Sequence, residues 1–316
     1  MRNLFAEIVE QMRNSQVGCW DLAKSNYENL QAVKTKTLQT GTCLFVAQFN
    51  PKRIVSSAAK VDQKSIQERK CFLCQENLPP QQKGSDFIGK YHVLVNPFPI
   101  FPKHLTVPAY IHQPQQIAGK FLDMLLLAQN LDEYVVFYNG PKCGASAPDH
   151  FHFQAGNKGF LPIERNFDAL KKEKIIANRT ITVSQSKEYP CRVLILESKS
   201  TASLSQHFKE ILDALEIKDG DYEPMINLLA WYNNEGFKVC LFPREKHRPS
   251  CYFAEGEENR LISPASVDLG GVFILPRETD YKKITPEDVS KILNEVSIDS
   301  AAMEKLVARL KKNAHE

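Results

Sequence analysis

Apolar and polar positions along this chain follow two periods, and the switches between them mark out its elements. Leu4, Phe5, Ile8, Val9 and Met12 recur at helical spacing, which predicts a helical segment running to about Asn29. Thr42 to Asn50 reads as a strand, and the polar, lysine- and serine-rich stretch from Lys52 to Lys70 as a loop. Tyr91–Asn96 and His104–Pro108 predict two strands, linked by a segment too proline-rich to join a ladder. Ile117, Phe121, Leu122, Leu125, Leu126 and Leu131 then predict an amphipathic helix from about Gln115 to Glu133. Tyr134–Tyr138 is a strand, and another begins near His150 after a turn of small residues. Strand, strand, helix, strand, loop, strand describes an α+β unit with a mostly antiparallel sheet.

The second half reads as a weak repeat. Arg192–Leu196 predicts a strand and Ser203–Leu215 a helix. Ile226–Tyr232 and Phe237–Phe242 predict a hairpin around Asn233-Asn234-Glu235-Gly236. Gly271–Pro276 is a further strand, and Val272–Pro276 followed by a helix echoes His104–Pro108. Thr285-Pro286 starts a helix, with threonine as N-cap and proline in the first turn. A last helix runs from about Ser300 to Lys312. The expected organisation is two modules, residues 1–165 and 166–316, the second serving as scaffold and substrate wall.

The chemistry concentrates in the run from Tyr138 to Gln154. In an extended chain His150, His152 and Gln154 project to one side while Phe151 and Phe153 anchor the other. Asn139-Gly140-Pro141 and Gly144-Ala145-Ser146 precede them and offer tight turns and accessible backbone N–H groups, as a phosphate-binding loop requires. A neutral imidazole attacks phosphorus well, and the P–N intermediate splits one displacement into two. Gln154 is neutral and carries two donor hydrogens, so it can hold a phosphate oxygen in both halves of such a reaction.

Composition narrows the partners. The chain has 316 residues, 43% hydrophobic and 24% charged, with a net charge of +3, as a soluble globular protein has. No dense basic stripe with interleaved aromatics is present, which argues against nucleic acid. No apolar run approaches the ~20 residues of a membrane span. Acidic residues interrupt the N-terminal apolar positions, which argues against a signal peptide and for a cytoplasmic location. The eight cysteines are scattered apart from Cys71 and Cys74, as reduced buried cysteines are.

The run Gly144-Ala145-Ser146-Ala147-Pro148-Asp149-His150-Phe151-His152-Phe153-Gln154 resembles the histidine-triad (HIT) superfamily. More narrowly it resembles the transferase branch: galactose-1-phosphate uridylyltransferases, diadenosine tetraphosphate phosphorylases and GDP-hexose phosphorylases. Ser266–Gly271 and Pro276-Arg277-Glu278 are similar to segments of the last group. The resemblance implies two HIT-like modules, each with a mostly antiparallel sheet and flanking helices. It implies a covalent nucleotidyl intermediate on His152, helped by Gln154 and Ser146, and transfer to phosphate or a sugar phosphate. Asn96, Phe98 and Ile100 occupy the segment that cradles base and ribose. Asn139, Lys142 and Gly144 belong to the phosphate loop, and Arg244 and Lys246, with His247 and Arg248, are candidates for the leaving group. Ser146 lies one residue farther from His152 than the corresponding serine of the uridylyltransferases.

Cys71-Phe72-Leu73-Cys74 can supply two thiolates to one tetrahedral zinc, and His112 and His150 are the best further ligands. The resemblance implies the same four, with His104 as the weaker alternative to His112. A redox pair or two core cysteines are the competing readings of the knuckle. The expected substrate is a nucleoside diphosphate-sugar or a dinucleoside polyphosphate, handled by a monomer or homodimer. A HIT-type hydrolase and a non-catalytic nucleotide-binding protein are the rival functions.

Overall fold

A computed structural model describes residues 3–54 and 62–313. In chain order the first half supplies β1 (Lys34–Thr40), β2 (Cys43–Phe49), β3 (Gly84–Phe87), β4 (Tyr91–Val95), β5 (His104–Pro108), β6 (Tyr134–Asn139) and β7 (His152–Asn157). The second supplies β8 (Glu173–Ala177), β9 (Thr182–Gln185), β10 (Leu194–Ser198), β11 (Ile226–Asn233), β12 (Gly236–Pro243) and β13 (Val272–Leu275). Ten of them form one sheet in the order β3-β4-β5-β7-β6-β11-β12-β10-β9-β8, antiparallel throughout.

Each half contributes five adjacent strands by the same path. Three strands lead into a helix, Phe121–Asn130 or Thr201–Ala214, and two more return in reversed order beside the third. The halves join where β6 pairs with β11, from Asn139 opposite Asn227 to Val136 opposite Ala230. The two helices meet on one face, where the Phe121 and Phe208 rings stack 3.8 Å apart at 10°. Strand alternation sorts the core. Phe151, Phe153, Leu105 and Val107 pack towards those helices. Phe101, Val135, Phe137, Leu229 and Phe242 form a second core on the other face with residues of β2 and β13.

The repeat is real, but β13 does not belong to it. Val272–Leu275 pairs in parallel with β2, Val272 opposite Val46, in a three-stranded sheet with β1. A four-residue, wholly apolar run has no preferred face, so its echo of His104–Pro108 carried no pairing information. The strand that follows the path of β7 is β12, Gly-Phe-Lys-Val-Cys-Leu-Phe-Pro, which has no histidine. Strands β1, β3, β8 and β9 are short or polar and gave no apolar signal; β3 and β8 are the edges of the large sheet, where polarity guards against further pairing.

Two helices differ from expectation. The N-terminal segment is two helices, Leu4–Cys19 and Asp21–Gln31, because Trp20 is extended at the junction. The helix after β5 starts only at Phe121, with Gly119 left-handed at φ 74° ahead of it. That frees residues 113–118 to act as an arm beside β7. Within the expected Lys52–Lys70 loop a helix forms at Gln63–Glu68, while residues 55–61 lie outside the described residues.

The close approach of Phe101 to β7 gives a direct test of the register. A Cβ on Gly156 would lie 2.3 Å from the buried Phe101 ring. Gly156→Ala is expected to cost about 1–3 kcal/mol through overpacking, read as a lower urea midpoint at unchanged slope.

Candidate active site

His152 opens β7 almost fully buried, and its surroundings fix its chemistry. Its Nδ1 lies 2.8 Å from the carbonyl oxygen of His150. A carbonyl only accepts, so Nδ1 carries the proton and Nε2 the lone pair. Burial pushes the imidazole pKa down to about 4, so the ring is neutral near pH 7. The backbone on either side is clamped by Gln115, itself buried. The Gln115 Oε1 accepts from the His152 N–H at 2.8 Å, and its Nε2 donates to the carbonyls of His152 and Asn139, both at 3.0 Å. Gln115 belongs to the arm ahead of Phe121, and nothing in its sequence context marks it out.

Gln154, two residues along the same face, is oriented by a second relay. The Ile100 N–H donates to His104 Nδ1 at 3.1 Å, which leaves the His104 proton on Nε2. That Nε2 lies 3.0 Å from Gln154 Oε1. Gln154 is thus held by its oxygen and turns its amide hydrogens away from His104. Burial, then the nearby Arg53 charge, push His104 down to about 3, so it stays a neutral donor. Tyr27 secures its backbone: the hydroxyl donates to the His104 carbonyl at 3.0 Å and accepts from its N–H at 3.3 Å. His104 is therefore a support of Gln154 and stands outside the cysteine cluster.

The loop from Gly140 to Asp149 is pinned from behind by the second half. Gly144 is left-handed at φ 92°, and a Cβ there would lie 2.6 Å from the Ala265 Cβ. Asn139 Oδ1 accepts from Asn227 Nδ2 at 2.8 Å and from the Ser266 N–H at 2.9 Å. Asn227 Nδ2 also reaches the Cys143 carbonyl at 2.8 Å. Buried Arg244 completes the brace, donating to Asn227 Oδ1, to the Pro264 carbonyl at 2.9 Å and to the carbonyls of Val296, Lys246 and His247. Asn139 and Arg244 thus support the loop, and Arg244 spends its donors inside the protein. By contrast, the N–H groups of Gly144, Ala145, Ser146 and Ala147 donate to no backbone carbonyl among the described residues.

The remaining sequence candidates lie at different depths. Asn96 bonds Thr106 Oγ1 through Nδ2 at 2.9 Å and accepts from the Phe98 N–H at 2.9 Å, so it shapes the Pro97–Pro102 turn. Phe98 is partly exposed; Ile100 is core, and its N–H is what reaches the site. Lys142 pairs with Asp221 at 2.5 Å and Lys246 with Glu295 at 3.1 Å, both at the surface. Arg53, which the sequence reading passed over, donates Nη1 to the Phe98 carbonyl at 2.8 Å, while its buried Nε has no partner among the described residues.

Cys71, Cys74, His112 and His150 bring one ligand atom each to within 4.8 Å of one another. Cys71 Sγ lies 3.3 Å from His150 Nδ1, and Cys74 Sγ lies 3.5 Å from it and 3.2 Å from His112 Nδ1. Tetrahedral zinc with Zn–S of about 2.3 Å and Zn–N of about 2.0 Å needs S···N edges of about 3.5 Å, so the four donors fit. His150 donates Nε2–H to the Ala109 carbonyl at 2.8 Å, which turns its Nδ1 lone pair to the cysteines. Burial resists ionisation of Cys71, but the His150 and backbone hydrogen bonds outweigh it and bring the thiol down to about 6. The cluster could hold a metal ion. His150 therefore faces the cluster with its ring and accepts from His152 Nδ1 with its carbonyl.

Residues 12–157 match the family model "Domain of unknown function (DUF4922)", and residues 166–316 match "GDPGP1-like, C-terminal domain". No curated protein sequence matches. Among solved structures, yeast Ap4A phosphorylase Apa2 in complex with AMP superposes with a TM-score of 0.60 at 17% identity, over 91% of this chain and 96% of that one. The same enzyme in complex with Ap4A gives 0.59 at 17% identity, over 88% and 96%. The chain therefore shares the fold of this phosphorylase. Among the described residues no helix is long and apolar enough to cross a membrane.

Removing the arm's clamp isolates its role. Gln115→Leu leaves the buried His152 N–H without an acceptor, and about 1–3 kcal/mol of stability should be lost. Urea denaturation measures it.

Proposed function

We propose that this chain, which has the fold of the transferase branch of the histidine-triad superfamily, is a nucleotidyltransferase working through a covalent nucleotidyl-His152 intermediate. The donor would be a nucleoside diphosphate-sugar or a dinucleoside polyphosphate, and the acceptor phosphate or a sugar phosphate. The observation that carries this reading is the single tautomer of His152. A buried neutral imidazole with its Nε2 lone pair fixed is a nucleophile, and binding alone would not require one.

In the first half-reaction the Nε2 lone pair forms a bond to the α-phosphorus while the P–O bond to the leaving phosphate breaks, its electron pair departing with the oxygen. Nδ1 keeps its proton, so the ring becomes cationic, and the His150 carbonyl dipole faces that charge. In the second, an acceptor phosphate oxygen attacks the same phosphorus and the P–N electrons return to Nε2. No proton transfer to the leaving group is needed, because a phosphate leaves without one. That suits a glutamine beside the nucleophile: Gln154 offers N–H donors to a non-bridging oxygen and cannot act as an acid. The N–H groups from Gly144 to Ala147 and the Ser146 hydroxyl would receive the other phosphate oxygens, as preorganised donors. Arg53 brings positive charge to the His104 side, and Lys142 and Arg248 to the loop side, where burial and those charges hold His247 neutral.

Zinc is the metal the two thiolates and two imidazoles suit best. With four protein ligands the site would be closed and structural. Bound there it would hold His150, whose carbonyl sets the His152 tautomer.

Intact mass after incubation with GDP-glucose, UDP-glucose, ATP or diadenosine tetraphosphate, without phosphate, tests the mechanism. An acid-labile GMP, UMP or AMP adduct, absent from His152→Ala and discharged by phosphate, is expected. Nucleotide binding with no adduct and no turnover would instead indicate a binding protein; release to water without phosphate would indicate a hydrolase. Because His152 takes up its second ring proton only as pH falls to about 4, the adduct-forming rate should be level from about pH 6 to about pH 8 and fall as pH drops towards 4.

A further inference from the structure

Asp149 sits immediately before His150, and its carboxylate stands between two parts of the metal cluster. One oxygen, Oδ1, accepts from Arg69 Nη2. The other, Oδ2, lies 4.0 Å from His112 Nε2. Arg69 is two residues ahead of Cys71 and stacks its guanidinium over Phe72, inside the cysteine knuckle, at 5.0 Å. The side chain of Asp149 is largely buried, at 17% exposed, whereas that of His112 is 47% exposed.

The two imidazoles are arranged alike. Each turns Nδ1 to the sulfurs, which leaves the proton on Nε2. For buried His150 the Nε2–H acceptor is the Ala109 carbonyl. His112 has no such carbonyl among the described residues, and the group in front of its Nε2 is the Asp149 carboxylate. A ligating histidine gains basicity and a fixed ring plane when its second nitrogen donates to a carboxylate. His112 Nε2 and Asp149 Oδ2 stand 4.0 Å apart, within reach of a hydrogen bond if the exposed His112 ring draws in when a metal is bound. The charges also suit a dication: two thiolates neutralise it, and the Arg69 cation neutralises Asp149.

We propose that Asp149 is the positioning residue of the metal cluster: tethered by Arg69, it holds His112 in the ligating tautomer and links the knuckle to the chain that carries His150 and His152. This rests on the zinc reading above. It also gives the residue between the phosphate loop and the first histidine a task that an apolar or small side chain could not perform.

The test is metal affinity of the full chain, read without activity. Metal-stripped wild type, Asp149→Asn and Arg69→Gln are titrated with zinc against a chromophoric chelator, and with cobalt(II) for its ligand-field absorption. Wild type should bind one ion per chain with a tetrahedral cobalt spectrum. Asp149→Asn should bind about 10–100-fold more weakly with altered bands. Arg69→Gln should shift the same way by less, since it frees the carboxylate without removing it, and it serves if the first variant fails to fold. Wild-type affinity and spectrum in folded Asp149→Asn would overturn the role of Asp149 while leaving the zinc reading intact. No stoichiometric metal in wild type would overturn both.

Discussion

The hydrogen bond from His152 Nδ1 to the His150 carbonyl, 2.8 Å long, governs what this site can do. It sorts the two ring nitrogens into a proton donor and a lone-pair nitrogen, and it does so with a group that cannot exchange roles. The consequence runs in both directions along the chain. Towards the cluster, the acceptor belongs to a residue whose own ring faces Cys71 and Cys74. Towards the strand, the ring is held by the Gln115 clamp on its backbone. A parallel relay, from the Ile100 N–H through His104 to Gln154, orients the second polar side chain of the face. Each of these two side chains is thus set by a backbone atom one or two hydrogen bonds away, and burial keeps both imidazoles neutral.

Why two halves are needed follows from the brace behind the loop. β6 ends at Asn139, next to the loop, and in a single module that strand would be an edge. Pairing with β11 covers the edge and brings Asn227, Arg244 and Ser266 against the loop's inner side. The second half follows the strand path of the first, with the largely apolar β12 where the first has the histidine strand. Its contribution is rigidity: the charged and amide groups of the brace are consumed by one another, and the loop's N–H groups from Gly144 to Ala147 are spared.

What could be read from residue order was what periodicity and motif carry. The face shared by His152 and Gln154, the strands flanking it and the Cys71–Cys74 knuckle come from short spacings, while His112 and His150 joined the knuckle through the family resemblance, and the structure brings each set together. The alternation did not extend to His150, which lies in the turn before β7 and sends its ring to the cysteines. Gln115, Tyr27 and the role of His104 were not visible because they act across the fold, on backbone atoms 37 or 77 residues away, or on Gln154 50 residues away. Arg244 shows the opposite limit: a basic cluster in sequence looked outward, yet burial turned the guanidinium onto carbonyls. Polar edge strands and the partner of β13 were hidden for a simpler reason, the lack of any apolar alternation to read.

The most direct measurement is the protonation state of the His152 ring by long-range ¹⁵N–¹H correlation on the labelled full chain, assigned with His152→Ala. The expected result is a protonated Nδ1 and a bare, lone-pair Nε2 throughout the neutral range, with titration only around pH 4. A proton on Nε2, or an imidazolium at neutral pH, would contradict the fixed-nucleophile geometry on which the proposed reaction depends.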